Sequence, residues 1–135
     1  MRLLSLLLLT SFLIQLGCQD HGVSVPEMSA SQYDASIDGQ NLKCTVNQRF
    51  TLTLGVSADG GYQWDWTIAN PSVVQLDSTS VKPPLPPVVG GEAVEMFHFR
   101  TTGVGVSRVK LIQHRVWEPN IPPIGSIEFL LYVQP

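Results

Sequence analysis

An arginine and a tryptophan stand two positions apart at the point where a predicted strand gives way to a loop. Arg115 and Trp117 follow an alternating stretch, and prolines at 119, 122 and 123 stop any further strand. A simple turn would use Asn, Gly or Asp at such positions. Arg and Trp are residue types that dominate the energetics of protein interfaces. Their placement at a strand end therefore indicates recognition of a partner.

The sequence gives little support for catalysis. It contains no Gly-x-Ser-x-Gly elbow, no pair of carboxylates within a recognisable catalytic motif and no phosphate-binding loop. His98 and His114 each lack a second His or Cys at ligand spacing, so no metal site is predicted. Cys44 lies in phase with Leu42 and Val46, which favours a small buried hydrophobe over a nucleophile. The chain is therefore not expected to be an enzyme or to need a cofactor.

Short stretches of period-two alternation run through the chain from residue 37 onward. Double prolines and double glycines interrupt every candidate helix. The pattern predicts an all-β fold, an antiparallel immunoglobulin-like β-sandwich of about seven to eight strands. Trp64 is expected in its core, and His98 on an outer face. The alternating segments are residues 42–46, 50–54, 62–68, 93–100, 107–113 and 126–133.

The N-terminus has the pattern of a secretory signal peptide. Arg2 gives a short positive region, an apolar run extends from Leu3 to Leu16, and Gly17 and Cys18 end it. The cysteine at this point resembles a bacterial lipobox, in which it is lipidated and becomes the new N-terminus. The resemblance is partial, because Gln15 stands where the pattern prefers Leu. We expect a lipid anchor on Cys18, with a soluble secreted form as the alternative.

These features divide the chain into a signal peptide (1–17), a lipidated N-terminus with a flexible tether (18–36), and a folded domain (37–135). Removing residues 1–17 takes away one Arg and no acid, so the formal charge changes from −3 to −4. That charge predicts no nucleic-acid partner. With Cys44 left besides Cys18, no disulfide within the domain is expected. We expect a monomer in the cell envelope, facing the periplasm or the exterior.

Three irregular segments of unusual composition separate the strands, and loops at one end of a sandwich form a composite surface. Their order resembles the chagasin-like inhibitors of papain-family cysteine peptidases. The resemblance spans about residues 38–133, beginning with "DGQNLKCTVNQRFTLTL". In "SADGGYQW", Gly61, Tyr62 and Trp64 match the family's first inhibitory loop.

The other two loops carry the same resemblance. Gly90 and Gly91 before "MFHF" are similar to the family's glycine-rich second loop, in a reduced form. Arg115 and Trp117 keep the outer residues of the family's Arg-Pro-Trp third loop. The resemblance implies a reversible, non-covalent inhibitor whose three loops occlude the active-site cleft of a papain-like peptidase. The implied peptidase-binding residues are Asp59, Gly60, Gly61, Tyr62, Gly90, Gly91, Arg115 and Trp117.

A glycine tip suits such a cleft, because without a Cβ the backbone of Gly60 and Gly61 can approach its floor. The exposed peptide groups of this tip are then expected to hydrogen-bond around the catalytic pair. The sequence departs from the family's first loop at Ser57, Ala58, Asp59 and Gly60, and the family has Thr at the position of Asp59. These departures predict altered potency or a shifted target. The alternative function is a cell-envelope adhesion or structural module with no peptidase target.

Overall fold

The computed structural model describes residues 24–28, 31–57, 60–84 and 91–135. Within these residues, eight β-strands form two four-stranded sheets, which confirms the predicted all-β sandwich of immunoglobulin-like class. A single turn of 3-10 helix, Ala35–Ile37, joins the first two strands. The strands are β1 (Gln32–Tyr33), β2 (Asn41–Thr45), β3 (Arg49–Val56), β4 (Gln63–Ile68), β5 (Val74–Lys82), β6 (Ala93–Thr101), β7 (Gly105–His114) and β8 (Gly125–Gln134).

Most strand pairs in the two sheets are antiparallel, as predicted, and each sheet also contains one parallel pair. One sheet has the order β1-β3-β6-β5 and the other has the order β2-β8-β7-β4. The pairs β1–β3 and β2–β8 are parallel, and the remaining pairs are antiparallel. Each parallel pair includes one edge strand, β1 in the first sheet and β2 in the second. In the sequence both precede the central strands, and the chain crosses from one sheet to the other between them.

The core fills the space between the sheets with side chains at every second strand position. Phe50, Leu52, Leu54 and Val56 of β3 are all buried, as the period-two pattern predicts. Burying each large apolar side chain contributes about 1.5–3 kcal/mol of hydrophobic stabilisation. The rings of Phe50 and Phe99 stack with centroids 5.2 Å apart across β3 and β6. Across the sheets, the ring of Phe129 on β8 lies 6.3 Å from that of Phe50 and 6.4 Å from that of Phe99, so the core joins the two sheets.

Residues that precede position 37 also contribute to the folded body. The backbone N–H of Met28 donates to Lys43 O at 2.6 Å, and Lys43 N–H donates to Pro26 O at 2.9 Å. Met28 is buried, and β1 at Gln32–Tyr33 pairs with β3. Pro26, Met28 and β1 all fall within the segment 18–36 that was predicted to be a flexible tether. Polar composition concealed their role, because they add edge backbone pairing with few apolar side chains.

The strand β5, which the sequence analysis did not identify, lies at the other edge of the first sheet. Most of its side chains are exposed, and its pairing with β6 shifts between Leu76 and Ser78. A bulge breaks period two, and an edge strand needs little apolar alternation. Both features remove the signal by which a strand is recognised in sequence.

Candidate functional site

Three loops meet at one end of the sandwich, which we call the loop pole. Loop 1 (57–62) joins β3 to β4, loop 2 (83–92) joins β5 to β6, and loop 3 (115–124) joins β7 to β8. The strand register fixes this arrangement, because Val56 pairs with Ala93 where loops 1 and 2 begin and end. Gln63 pairs with His114 where loop 1 ends and loop 3 begins. The described parts of the loops are residues 57, 60–62, 83–84, 91–92 and all of loop 3.

Several predicted site residues are brought together at this pole. Gly60, Gly61 and Tyr62 of loop 1 lie against Arg115 and Trp117 of loop 3. Gly91 of loop 2 lies two residues before Ala93, the partner of Val56. Asp59, Gly90 and the predicted lipidation site Cys18 lie outside the described residues.

Arg115 makes three contacts, of which two connect loop 3 to loop 1. Its Nε donates to the carbonyl oxygen of Gly60 at 2.7 Å. Its guanidinium carbon lies 4.4 Å from the ring centroid of Tyr62, a cation–π geometry. Its Nη1 donates to Glu118 Oε2 at 3.3 Å, the surface pair that would be the simplest role for this arginine. The first two contacts place Arg115 between the loops instead.

The indole of Trp117 leans on Gly61 while remaining open to solvent. Trp117 is 63% exposed, yet a Cβ added at Gly61 would overlap its Cη2 atom. Gly61 also has φ of +74°, a backbone conformation that L side chains rarely adopt. Glycine is therefore required here twice, by the backbone and by the neighbouring ring.

The peptide groups of Gly60 are already used inside the protein. Its N–H donates to Ser57 O at 3.1 Å, and its carbonyl accepts from Arg115. The sequence predicted that the peptide N–H and C=O groups of this glycine tip are exposed and available to a partner. At Gly60 both groups are instead hydrogen-bonded within the protein. The glycine pair allows close packing between two loops, which no single-sequence pattern signals.

Loop 3 turns back on itself through backbone hydrogen bonds. Glu118 N–H donates to Arg115 O, and Ile121 N–H donates to Glu118 O, each at 3.1 Å. Ile124 N–H then closes the loop on Gln113 O at 2.9 Å. These bonds, together with three prolines, hold apolar side chains outward. The exposed large hydrophobic residues of the loop are Val116, Trp117, Ile121 and Ile124.

Of these four, the sequence analysis named only Trp117 as a contact residue. Ile121 is 59% exposed and Ile124 is 55% exposed. Two isoleucines that flank a pair of prolines in a loop were the available signal, because large aliphatic side chains in a loop have no core to enter. An exposed apolar cluster on one loop is typical of a protein-binding surface.

Trp64 anchors the bases of these loops from within the core. It is only 7% exposed, as predicted, and its indole Nε1 donates to Gly55 O at 2.9 Å near the end of β3. Its Cη2 atom would lie 3.2 Å from a Cβ at Gly125, the first residue of β8. The carboxylate of Glu92, at the end of loop 2, lies over Gly55. One indole therefore links the start of loop 1 to the end of loop 3, beside the end of loop 2.

Polar side chains of β4, β6 and β7 border the same region. Nε2 of His114 lies 2.6 Å from Oδ2 of Asp65, beside the Gln63–His114 pair. Partial burial raises the pKa of the Glu95 carboxyl, a hydrogen bond from the backbone N–H of Trp64 opposes the rise, and the charge of Asp65 adds to it. Glu95 thereby provides an acceptor for a backbone donor on an edge strand.

Other chemistry is not assembled in the described part of the chain. No group of three or more His, Cys, Asp or Glu side chains is placed to hold a metal ion among these residues. The thiol of Cys44 is buried, and burial raises its pKa to about 11. No helix in the described ranges is long and apolar enough to cross a membrane.

Comparison with solved structures identifies the same sandwich in other proteins, among them a cysteine protease inhibitor. The cysteine protease inhibitor EhICP2 from Entamoeba histolytica matches with a TM-score of 0.70 at 20% identity, over 76% of this chain and 94% of that one. Amebosin matches with a TM-score of 0.60 at 15% identity, over 78% and 99%. PbICP-C, solved in complex with falcipain-2, matches with a TM-score of 0.55 at 15% identity, over 82% and 93%. At these identities the likeness establishes the fold.

The family follows from the sequence itself. No curated protein sequence matches the chain. The profile of the family described as "Chagasin family peptidase inhibitor I42" matches residues 43–133, more than half of the chain and all of β3 to β7. The matched family consists of inhibitors and not of enzymes, in agreement with the sequence analysis. The chain therefore belongs to the chagasin family of peptidase inhibitors.

Proposed function

We propose that this protein is a reversible, non-covalent inhibitor of papain-like cysteine peptidases that occludes the active-site cleft with its three adjacent loops. The observation that carries the proposal is the loop pole, where loops 1, 2 and 3 share one end and Trp117 stands 63% exposed. One structural neighbour, EhICP2, is a cysteine protease inhibitor, and another, PbICP-C, was solved with falcipain-2 bound. We extend that kind of partner to this chain.

The inhibitory mechanism depends on how the loops fit the cleft and needs no covalent reaction with the peptidase. A papain-like peptidase holds a cysteine thiolate and an imidazolium at the floor of a V-shaped cleft, and a wedge of loops that offers no scissile bond in register blocks it. The indole of Trp117 is the main anchor, with a contribution of about 2–4 kcal/mol. Loop 3 is internally hydrogen-bonded and rich in proline, so little conformational entropy is lost on docking.

Titration of the purified protein against papain tests the proposal. A Cys18→Ser variant keeps the protein free of lipid, and the expected result is stoichiometric loss of peptidase activity that recovers on dilution with both masses unchanged. Absence of inhibition of several papain-like enzymes at about 10 μM, far above the nanomolar range of tight interfaces, would defeat the proposal. That outcome would favour the adhesion module.

Replacing Trp117 by alanine tests the predicted anchor. The inhibition constant is expected to rise at least about tenfold, equivalent to about 1.4 kcal/mol. The matched control is Val104→Ala, because Val104 is 61% exposed in the turn between β6 and β7, at the opposite end. If both variants inhibit like the parent protein, the contact surface lies elsewhere.

The remaining elements of the proposal concern location and assembly. We propose that Cys18 carries a lipid anchor that holds a monomeric inhibitor in the cell envelope, at a periplasmic or extracellular face. Incorporation of labelled palmitate into the parent chain but not into Cys18→Ala is the expected result. Equal release of both chains into the medium would favour the secreted form, and light scattering of the unlipidated protein measures its oligomeric state.

A further inference from the structure

Arg115 combines a residue type common at interfaces with contacts that lie inside the protein. We infer that Arg115 is a positioning residue, which holds loop 1 against loop 3 and does not itself bind the peptidase. The inference rests on the proposed function, since it concerns how the inhibitory surface is prepared. It also changes the role that family resemblance assigns to this arginine.

Strand register explains why Arg115 reaches loop 1. Gln63 and His114 are the outermost backbone pair of β4 and β7, so Tyr62 and Arg115 are the next positions beyond the pair. Beyond this pair the guanidinium continues the connection with its side chain, by the hydrogen bond to Gly60 and the contact with the Tyr62 ring. Arg115 thus extends the sheet into the loops.

The geometry of these contacts demands a guanidinium. Nε donates along one edge at 2.7 Å, the planar face covers the ring of Tyr62, and Nη1 points away toward Glu118. The rigid fork makes these contacts simultaneously, whereas an ammonium offers a point charge without a flat face. A lysine at 115 would preserve the charge and lose the connection.

The consequence for binding is preorganisation. Gly60 and Gly61 have the greatest backbone freedom of any residue type, and without Arg115 that freedom would be lost only on docking. With Arg115, Gly61 is already placed under the indole of Trp117 in the free protein. Loop 1 and the main anchor are therefore set together before the peptidase arrives.

A direct contact would have different consequences. If Arg115 bound a carboxylate of the peptidase, Arg115→Lys would keep most of the attraction, and the Arg115 Nε–H would change its environment on binding. If Arg115 is internal, its Nε–H is hydrogen-bonded in the free protein and stays so in the complex. These outcomes separate the two roles.

The experiment compares Arg115→Lys, Arg115→Ala and the parent in the ¹H–¹⁵N spectrum and in peptidase inhibition. Arg108→Lys and Arg108→Ala are the matched controls, since Arg108 lies on β7, the strand that leads into Arg115, and pairs with Glu128 on the exposed sheet face. We expect both Arg115 variants to raise the inhibition constant at least about tenfold and to shift the Gly61 amide signal in the free protein. Both Arg108 variants should leave these unchanged.

Full inhibition by Arg115→Lys, or an Nε–H signal of Arg115 that shifts on adding peptidase, would overturn the inference. If Arg115→Ala does not fold, the parent spectrum with and without peptidase still decides between the roles. If the parent inhibits no peptidase, the proposed function fails by itself. The Gly61 amide of Arg115→Lys then still shows whether this arginine holds loop 1, and an unmoved signal would refute it.

Discussion

Two glycines of this protein share a left-handed backbone and differ in their surroundings. Gly61 has φ of +74° and lies under Trp117, whereas Gly39 has φ of +73° with no neighbouring atom near its missing Cβ. Alanine at either position bears the backbone cost of about 1–2 kcal/mol. Only Gly61→Ala also displaces the indole. We therefore expect both variants to lose similar unfolding free energy and only Gly61→Ala to inhibit less, by about tenfold or more.

Chemical denaturation and peptidase titration of the two variants check this expectation. Gly39 follows the 3-10 helix and has no atom within 4 Å of the position a Cβ would take, so Gly39→Ala reports the backbone effect alone. Equal changes in the inhibition constants of the two variants would contradict a specific role for the Gly61–Trp117 contact.

The single thiol of the domain should be chemically silent in the native state. Cys44 is 3% exposed, and burial raises its pKa to about 11. At pH 8 the native Cys18→Ser protein is expected to react with iodoacetamide negligibly over hours, and to react fully in denaturant, because the thiolate is the nucleophile. Mass spectrometry measures the modification. Rapid native labelling would show that β2 opens from the sandwich.

Among the described elements, loop 3 carries four exposed large hydrophobic side chains at the loop pole, two of them isoleucines. Ile121 and Ile124 belong to the binding surface under the proposed function. Replacing either by alanine is expected to raise the inhibition constant about threefold to thirtyfold, since burying a large aliphatic side chain contributes roughly 1–2 kcal/mol. Thermal unfolding should change little, because both side chains are solvated in the free protein.

The matched variants for this prediction lie at the opposite end of the sandwich. Val104 and Val106 are exposed to a similar degree; Val104 lies in the turn before β7, and Val106 lies near the start of β7. Alanine at these positions should leave inhibition within twofold of the parent. Equal losses at both ends would place the contact on a face of the sandwich and not on its loops.

How far the sequence predicts the site depends on what each loop residue does. Arg115 and Trp117 were identified because their types are out of place at a strand end. Their contacts with Gly60 and Gly61 were not, because the pairing depends on which strands are neighbours. Register links sequence positions about 55 residues apart, and a single sequence contains no direct record of it.

At the scale of the whole molecule, two carboxyl groups couple stability to pH with opposite signs. Partial burial raises the pKa of Glu95, so the folded state holds this proton more tightly than the unfolded state. Its contribution to stability is present below the ordinary value of 4.5 and is lost as pH rises through the folded value. We expect Glu95→Gln to gain stability over the parent as pH rises from 4 to 7.

Asp77 provides the comparison of opposite sign. A hydrogen bond from Arg100, together with the charges of Arg100 and Arg49, lowers the pKa of Asp77. Its contribution is therefore present above the ordinary value of 3.8 and is lost as pH falls through the lowered value. Asp77→Asn should be less stable than the parent at pH 7 and equal to it near pH 2. If the difference in unfolding free energy between the parent and each variant is the same at every pH, both assignments are contradicted.

The sequence predicts all four central strands and the edge strands β2 and β4, and it misses the other two edge strands, β1 and β5. The alternation in β3, β6, β7 and β8 reflects one face buried in the core, so these strands were recognised from period two. The edge strands β1 and β5 contribute backbone pairing more than apolar side chains, and both were missed. Parallel pairing at two edges depends on the path of the chain, which periodicity does not encode.

The position of β8 determines the order in which a newly made chain can fold. This strand lies between β2 and β7 and supplies Ile127, Phe129, Leu131 and Val133 to the interior. While β8 is still inside the ribosome, β2 has no neighbour in its sheet and the opposite sheet has only part of its cover. Folding must therefore follow translation of nearly all the domain, and a nascent chain stays open to chaperones and translocation machinery until then.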